Sequence, residues 1–92
     1  MSESPAEPTA EQLVDELRKA RVEDMILHSG SLFASLAYGK LAPEARDLDQ
    51  ARMAIDALRA LVVVLPEEQQ RTLQQTVTNL QLAYADAAKP AG

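Results

Sequence analysis

Asp24, His28 and Ser31 stand at i, i+4 and i+7 around the only histidine of the chain. On a helix that spacing puts a carboxylate, an imidazole and a hydroxyl on one face. These are the residue types of an acid–base–nucleophile relay, but a relay needs a different geometry. Its members converge from separate elements beside oxyanion donors, whereas side chains on one straight helix lie abreast along its axis. A local hydrogen bond or a solvated pair is the expected role. Asp24 and His28 also have the one-turn spacing of metal ligands. Helical metal centres, however, gather Glu-x-x-His motifs from two helices together with further carboxylates, and this chain has neither the motif nor a second histidine. Only duplication of the pair across a dimer axis would complete a ligand set. Nothing resembles a glycine-rich phosphate loop. The absence of cysteine excludes disulfides, thiolate catalysis and cysteine-ligated zinc. The chain is therefore expected to be non-enzymatic, with no catalytic residue, cofactor or metal; a small-molecule or metal-binding bundle using Asp24 and His28 is the lesser alternative.

The charged side chains read as solvated surface. Arg18, Lys19 and Arg21 form the densest basic cluster, but Asp15, Glu16, Glu23 and Asp24 surround it, and the net charge is −5. Phosphate-backbone binding relies on clustered cations that displace counterions, so nucleic acid is not an expected direct partner. Asp15 with Lys19 and Glu67 with Arg71 have the orientation of helix-supporting pairs. Glu67 to Gln70, with Gln74 and Gln75, reads as a polar helix face.

The elements that carry these residues follow from periodicity. Apolar residues make up 47% of the 92 positions and aromatics only 3% (Phe33, Tyr38 and Tyr84), so a core must be filled by aliphatic side chains and alanine, a palette that suits close-packed helices. Residues 1–8 are rich in Glu, Ser and Pro and read as a disordered tail. Thr9 with Gln12 offers a capping box. From Ala10 to about Tyr38 no proline intervenes, and Leu13, Leu17, Ala20, Val22, Met25, Ile26, Leu32, Phe33 and Leu36 recur at three- and four-residue intervals, most of them along one broad stripe. A kink or break is expected near Gly30. Its role is read as close approach of a neighbouring helix, given the small residues Gly30 and Ala34 and the adjacent serines, in preference to a hinge.

Gly39 is expected to end this helix in a left-handed conformation, with Pro43 blocking its continuation. Asp47 can cap the next, where Leu48, Ala51, Ile55, Leu58, Val62 and Leu65 follow at intervals of three and four as a heptad seam. Leu61 to Leu65 is wholly apolar and sweeps about 500° of rotation, so it cannot all face one partner. Pro66 stops this helix and opens the third, which should run to Ala87 with Leu73, Val77, Leu80, Tyr84 and Ala87 as its seam. The short link makes the second and third helices an antiparallel hairpin. The expectation is an all-α bundle of three main helices in one domain, residues 9–88, with a flexible end at 89–92. Unbroken, the first helix would span roughly 45 Å against about 26 Å for the second, so either it bends at Gly30 or a homodimer covers the overhangs.

From Asp47 onward the text Asp47-Leu-Asp-Gln-Ala-Arg-Met-Ala-Ile-Asp-Ala-Leu58, then Leu80-Gln-Leu-Ala-Tyr84, resembles an uncharacterised bacterial family, domain of unknown function eighteen forty-four, in its actinobacterial form. Many members carry a Lys-x-x-Gly-Asn-Leu stretch between these helices, where this chain reads Val62-Val-Val-Leu-Pro66. The resemblance implies a short helical protein and supplies no activity, cofactor or functional residue. Actinobacterial relatives beside translation genes would make a translation-associated accessory protein, acting through protein contacts, the alternative role. The leading expectation is a homodimeric, non-enzymatic protein-interaction module. Its candidate interface is Leu32, Phe33, Leu36, Leu61, Val63 and Val64. No membrane role is expected, because the longest uncharged stretch, Met25 to Gly39, is shorter than the roughly 20 residues of a membrane helix. The start of the chain lacks a basic, apolar leader, which points to the cytoplasm.

Overall fold

The computed structural model describes residues 9–90, and the expected tail at 1–8 and the last two residues of the 89–92 end lie outside them. Among the described residues the chain is all-α, with four helices and no strand: α1 (Ala10–Lys19), α2 (Val22–Leu41), α3 (Leu48–Val62) and α4 (Glu67–Ala87), with a 3₁₀ turn at Pro43–Ala45. Three of the four starts follow the cap chemistry in the sequence. At α1 the Gln12 N–H donates to the Thr9 hydroxyl (3.1 Å) and the Thr9 N–H to the Gln12 side-chain oxygen (2.9 Å), a complete capping box. At α3 Asp47 Oδ1 accepts from the Gln50 N–H at 3.1 Å. Pro66 is the N-cap of α4, and Glu67 and Glu68 occupy its first turn, where carboxylates offset the positive helix end.

The expected first helix is two helices, and it divides at Ala20–Arg21 instead of bending near Gly30. Both residues are extended (ψ 142° and 140°). Neither is a helix breaker by type; the charges around them are what suit a boundary. Arg18 and Lys19 fall in the last turn of α1 and Glu23 and Asp24 in the first turn of α2, so each helix end meets the sign its dipole favours. Helix α2 then runs through Gly30 without a break. Gly30 is buried, and a Cβ built on it would lie 3.2 Å from both Leu58 Cδ1 and Leu73 Cδ1. Its lack of a side chain is what lets α3 and α4 approach. Gly39 is not a left-handed stop either: α2 continues through it to Leu41, and extended Ala42 ahead of Pro43 ends the helix.

Helices α2, α3 and α4 each contact the other two. Their core is the seam of α3 (Ala51, Ala54, Ile55, Leu58, Val62, then Leu65) against that of α4 (Leu73, Val77, Leu80), with Ala37 and Leu41 from α2. Ile26, Leu27, Phe33, Ala34 and Tyr84 pack at its margin. No polar side chain is buried among the described residues. Two polar residues tie the ends of these helices together. Gln70 donates to the carbonyls of Leu65 (2.9 Å) and Val63 (3.3 Å), closing the α3–α4 turn. Arg46 donates to the carbonyl of Leu41 (3.1 Å) and to that of Ala87 (3.4 Å), the C-terminal ends of α2 and α4. Helix α1 contacts none of the other helices. The radius of gyration is accordingly 17.4 Å, against the roughly 12 Å of a compact chain of this length.

Candidate interaction surface

Helix α2 is apolar on two flanks, and only one of them faces the core. Gly30, Ala37 and Leu41 point inward, while Val22, Met25, Ser29, Leu32 and Leu36 recur at three, four, three and four residues along a second line. The four large side chains of that line are 70%, 47%, 59% and 49% exposed. Helix α3 repeats the arrangement with Met53, Ala57 and Leu61, followed by Val64 in the turn. Met53 and Val64 are exposed, Ala57 and Leu61 half-buried. No position of either line carries a charge.

Both lines lie on the same side of the molecule. Tyr38 and Leu41 of α2 share a cleft with Ala83, Asp86 and Ala87, which identifies the flank of α2 turned toward α4. At 100° per residue the Val22–Leu36 line sits about 120–180° around from Tyr38. On α3 the flank toward α4 is marked by Arg52, Ile55 and Asp56, in a cleft with Gln81 and Tyr84. The line through Met53 and Leu61 lies about 100–180° around from Arg52. In a cluster of three mutually touching helices, the two flanks turned away from α4 form one face of the α2–α3 pair. A helix laid on this face would complete a four-helix arrangement.

The candidate residues read from the sequence divide over this geometry. Leu32, Leu36, Leu61 and Val64 belong to the face. Phe33 is half-buried and packs at the core margin. Val63, 71% exposed, borders a cleft on the opposite side with Arg59 and Gln74. Val22, Met25 and Met53 complete the face and were not among the sequence candidates. Their signal was the second heptad line, hidden because it runs beside the core line of the same helix. Helix α1 adds Leu13, Val14 and Leu17, between 45% and 61% exposed, so its apolar stripe is uncovered too.

Asp24, His28 and Ser31 are all exposed on α2, on the side away from its core line. Among the described residues no three His, Asp or Glu side chains stand close enough to hold a metal ion. Among the described residues the tightest ion pair joins Arg21 to Glu23 at 2.8 Å, beside the α1–α2 boundary. The guanidinium hydrogen bond holds the Glu23 carboxyl below its usual range, and the same bond raises Arg21. The other ion pairs among the described residues, such as Arg71–Glu67 (3.4 Å) and Lys89–Asp86 (3.5 Å), join exposed side chains three or four residues apart and fix no site. No described helix is long and apolar enough to cross a membrane. Compared with known proteins, the chain matches no family model, no curated protein and no solved structure.

Proposed function

We propose that the protein is a non-enzymatic helical interaction module of the cytoplasm that works as a homodimer, and that the apolar α2–α3 face, bordered by Lys40 at the end of α2, is its binding surface. One observation carries the reading: Val22, Met25, Leu32 and Leu36 keep heptad spacing, the pattern of a buried seam, yet none of the described residues covers them. At about 25 cal/mol per Å² of apolar surface, such a seam is held in water at a cost that association removes. In this reading α2 to α4 form a three-helix bundle with α3 and α4 antiparallel. The short connection at Val63–Pro66 and the cleft that joins Arg52 and Ile55 to Gln81 and Tyr84 support that arrangement. The segments that resemble domain of unknown function eighteen forty-four, Asp47–Leu58 and Leu80–Tyr84, contribute core positions of α3 and α4, and membership of that family is part of the proposal.

The test is light scattering on three proteins. The unaltered chain should have twice its 10.0 kDa mass. The double variant Leu32→Asp/Leu36→Asp should return to 10.0 kDa while keeping the helical circular dichroism of α2 to α4. Val63→Asp, on the opposite side, should leave the dimer unchanged. A dimer that survives the double variant and is lost in Val63→Asp would move the interface to the α3–α4 side and overturn the assignment.

A further inference from the structure

Helix α1 has the form of a detached piece of core. It is capped at its start by a complete capping box, it is amphipathic, and Leu13, Val14 and Leu17 line its apolar side, yet it touches no other helix. Ten isolated residues are too few to hold a stable helix in water, because nucleation is unfavourable and short helices depend on packing of their apolar side. Such a helix is completed by a surface, and the chain displays one without an occupant, the α2–α3 face.

We infer that α1 is an exchanged arm: in the dimer, the α1 of each copy lies on the α2–α3 face of the other. This rests on the homodimer reading above and specifies how it is built. Two observations select a second copy over α1 folding back on its own chain. The first is the join. Ala20 and Arg21 are both extended, and the Arg21–Glu23 bond braces them there, so α1 is carried away from its own α2. The second is area. Helix α1 spans about 15 Å and α2 about 30 Å, so an α1 folded back from Ala20 would reach no further than Leu32 and leave Leu36 and Met53 bare. Exchange between two copies lets the faces meet each other as well as the arms. The exposed apolar side chains of α1 and the α2–α3 face come to on the order of 1,000 Å² per chain, against roughly 800 Å² per partner in a standard stable interface. The exchange is reciprocal, as a two-fold axis requires.

Because the chain has no cysteine, a single engineered thiol gives a clean labelling site. A nitroxide on Asp15→Cys, on the polar side of α1, is placed on chains of natural isotope content, and these are mixed in large excess with ¹⁵N chains that carry no nitroxide, so that nearly every ¹⁵N chain pairs with a nitroxide chain. The expected result is selective broadening of the Leu32, Leu36 and Met53 amide signals of the ¹⁵N chains, with several-fold loss of intensity. Leu80 should be unaffected. Broadening that appears only when nitroxide and ¹⁵N share one chain would show α1 folded back on itself and overturn the exchange. A dimeric mass with no broadening at the face would also overturn it while leaving the homodimer standing. A mass of one chain at every concentration would overturn the homodimer and the exchange together.

Discussion

Gly30 shows how one atom's absence sets the spacing of the bundle. A valine there would push its branched side chain into Leu58 and Leu73, whose methyls already stand 3.2 Å from the position of a Cβ. Gly30→Val should therefore destabilise the fold by about 1–3 kcal/mol, read as a lower urea midpoint. A hinge role would instead leave the midpoint unchanged or raised, since valine is the better helix former. Arg46 acts through its two carbonyl bonds at the ends of α2 and α4, and Arg46→Ala should cost about 1 kcal/mol in the same assay. Glu23 provides a pH effect of definite sign. Its folded carboxyl titrates below the ordinary value of 4.5, so the contribution of the Arg21–Glu23 pair is complete above that value and is lost as the pH falls through the depressed one. Amide shifts of Arg21 to Asp24 should accordingly move only on the acid side of that ordinary value and stay constant between pH 6 and 8. Movement between pH 6 and 8 would contradict the assignment to the Arg21–Glu23 pair.

At the scale of elements, what could be read from the sequence depends on whether a pattern had one physical cause or two. The seams of α3 and α4 were legible because each helix buries a single heptad line, and Ala51, Ile55, Leu58, Val62, Leu73, Val77 and Leu80 are all buried. The caps at Thr9 and Asp47 were legible because their chemistry is local. Residues Ala10 to Tyr38 were not, because three apolar lines are superposed there: the free stripe of α1, the core line of α2 and its outward line. Read as one, they suggested a continuous helix whose weakest residue was Gly30. The true boundary lay in the charge order, Arg18 and Lys19 before Ala20 and Glu23 and Asp24 after Arg21, a weak signal when glycine and proline are expected to punctuate. This division predicts unequal stability. In the Leu32→Asp/Leu36→Asp variant, hydrogen exchange at the α1 amides should approach that of unstructured chain, while the Leu58 and Leu80 amides stay protected. Equal protection across α1 and α3 would mean that α1 does not depend on association.

For the molecule as a whole, large apolar side chains from Leu13 on α1 to Leu82 on α4 face outward. A radius of gyration of 17.4 Å, a first helix that contacts none of the other described helices and an apolar α2–α3 face are the features on which the proposal of a core shared with a second chain rests. Oligomeric surplus of this kind is invisible to periodicity, which reports that a line is apolar and not which molecule covers it. The most direct measurement is the sedimentation mass of the unaltered protein over a dilution series from about 100 μM to 1 μM, where a tight dimer with Kd well below micromolar stays associated. The account predicts twice 10.0 kDa throughout. A folded species of 10.0 kDa at every concentration would contradict it.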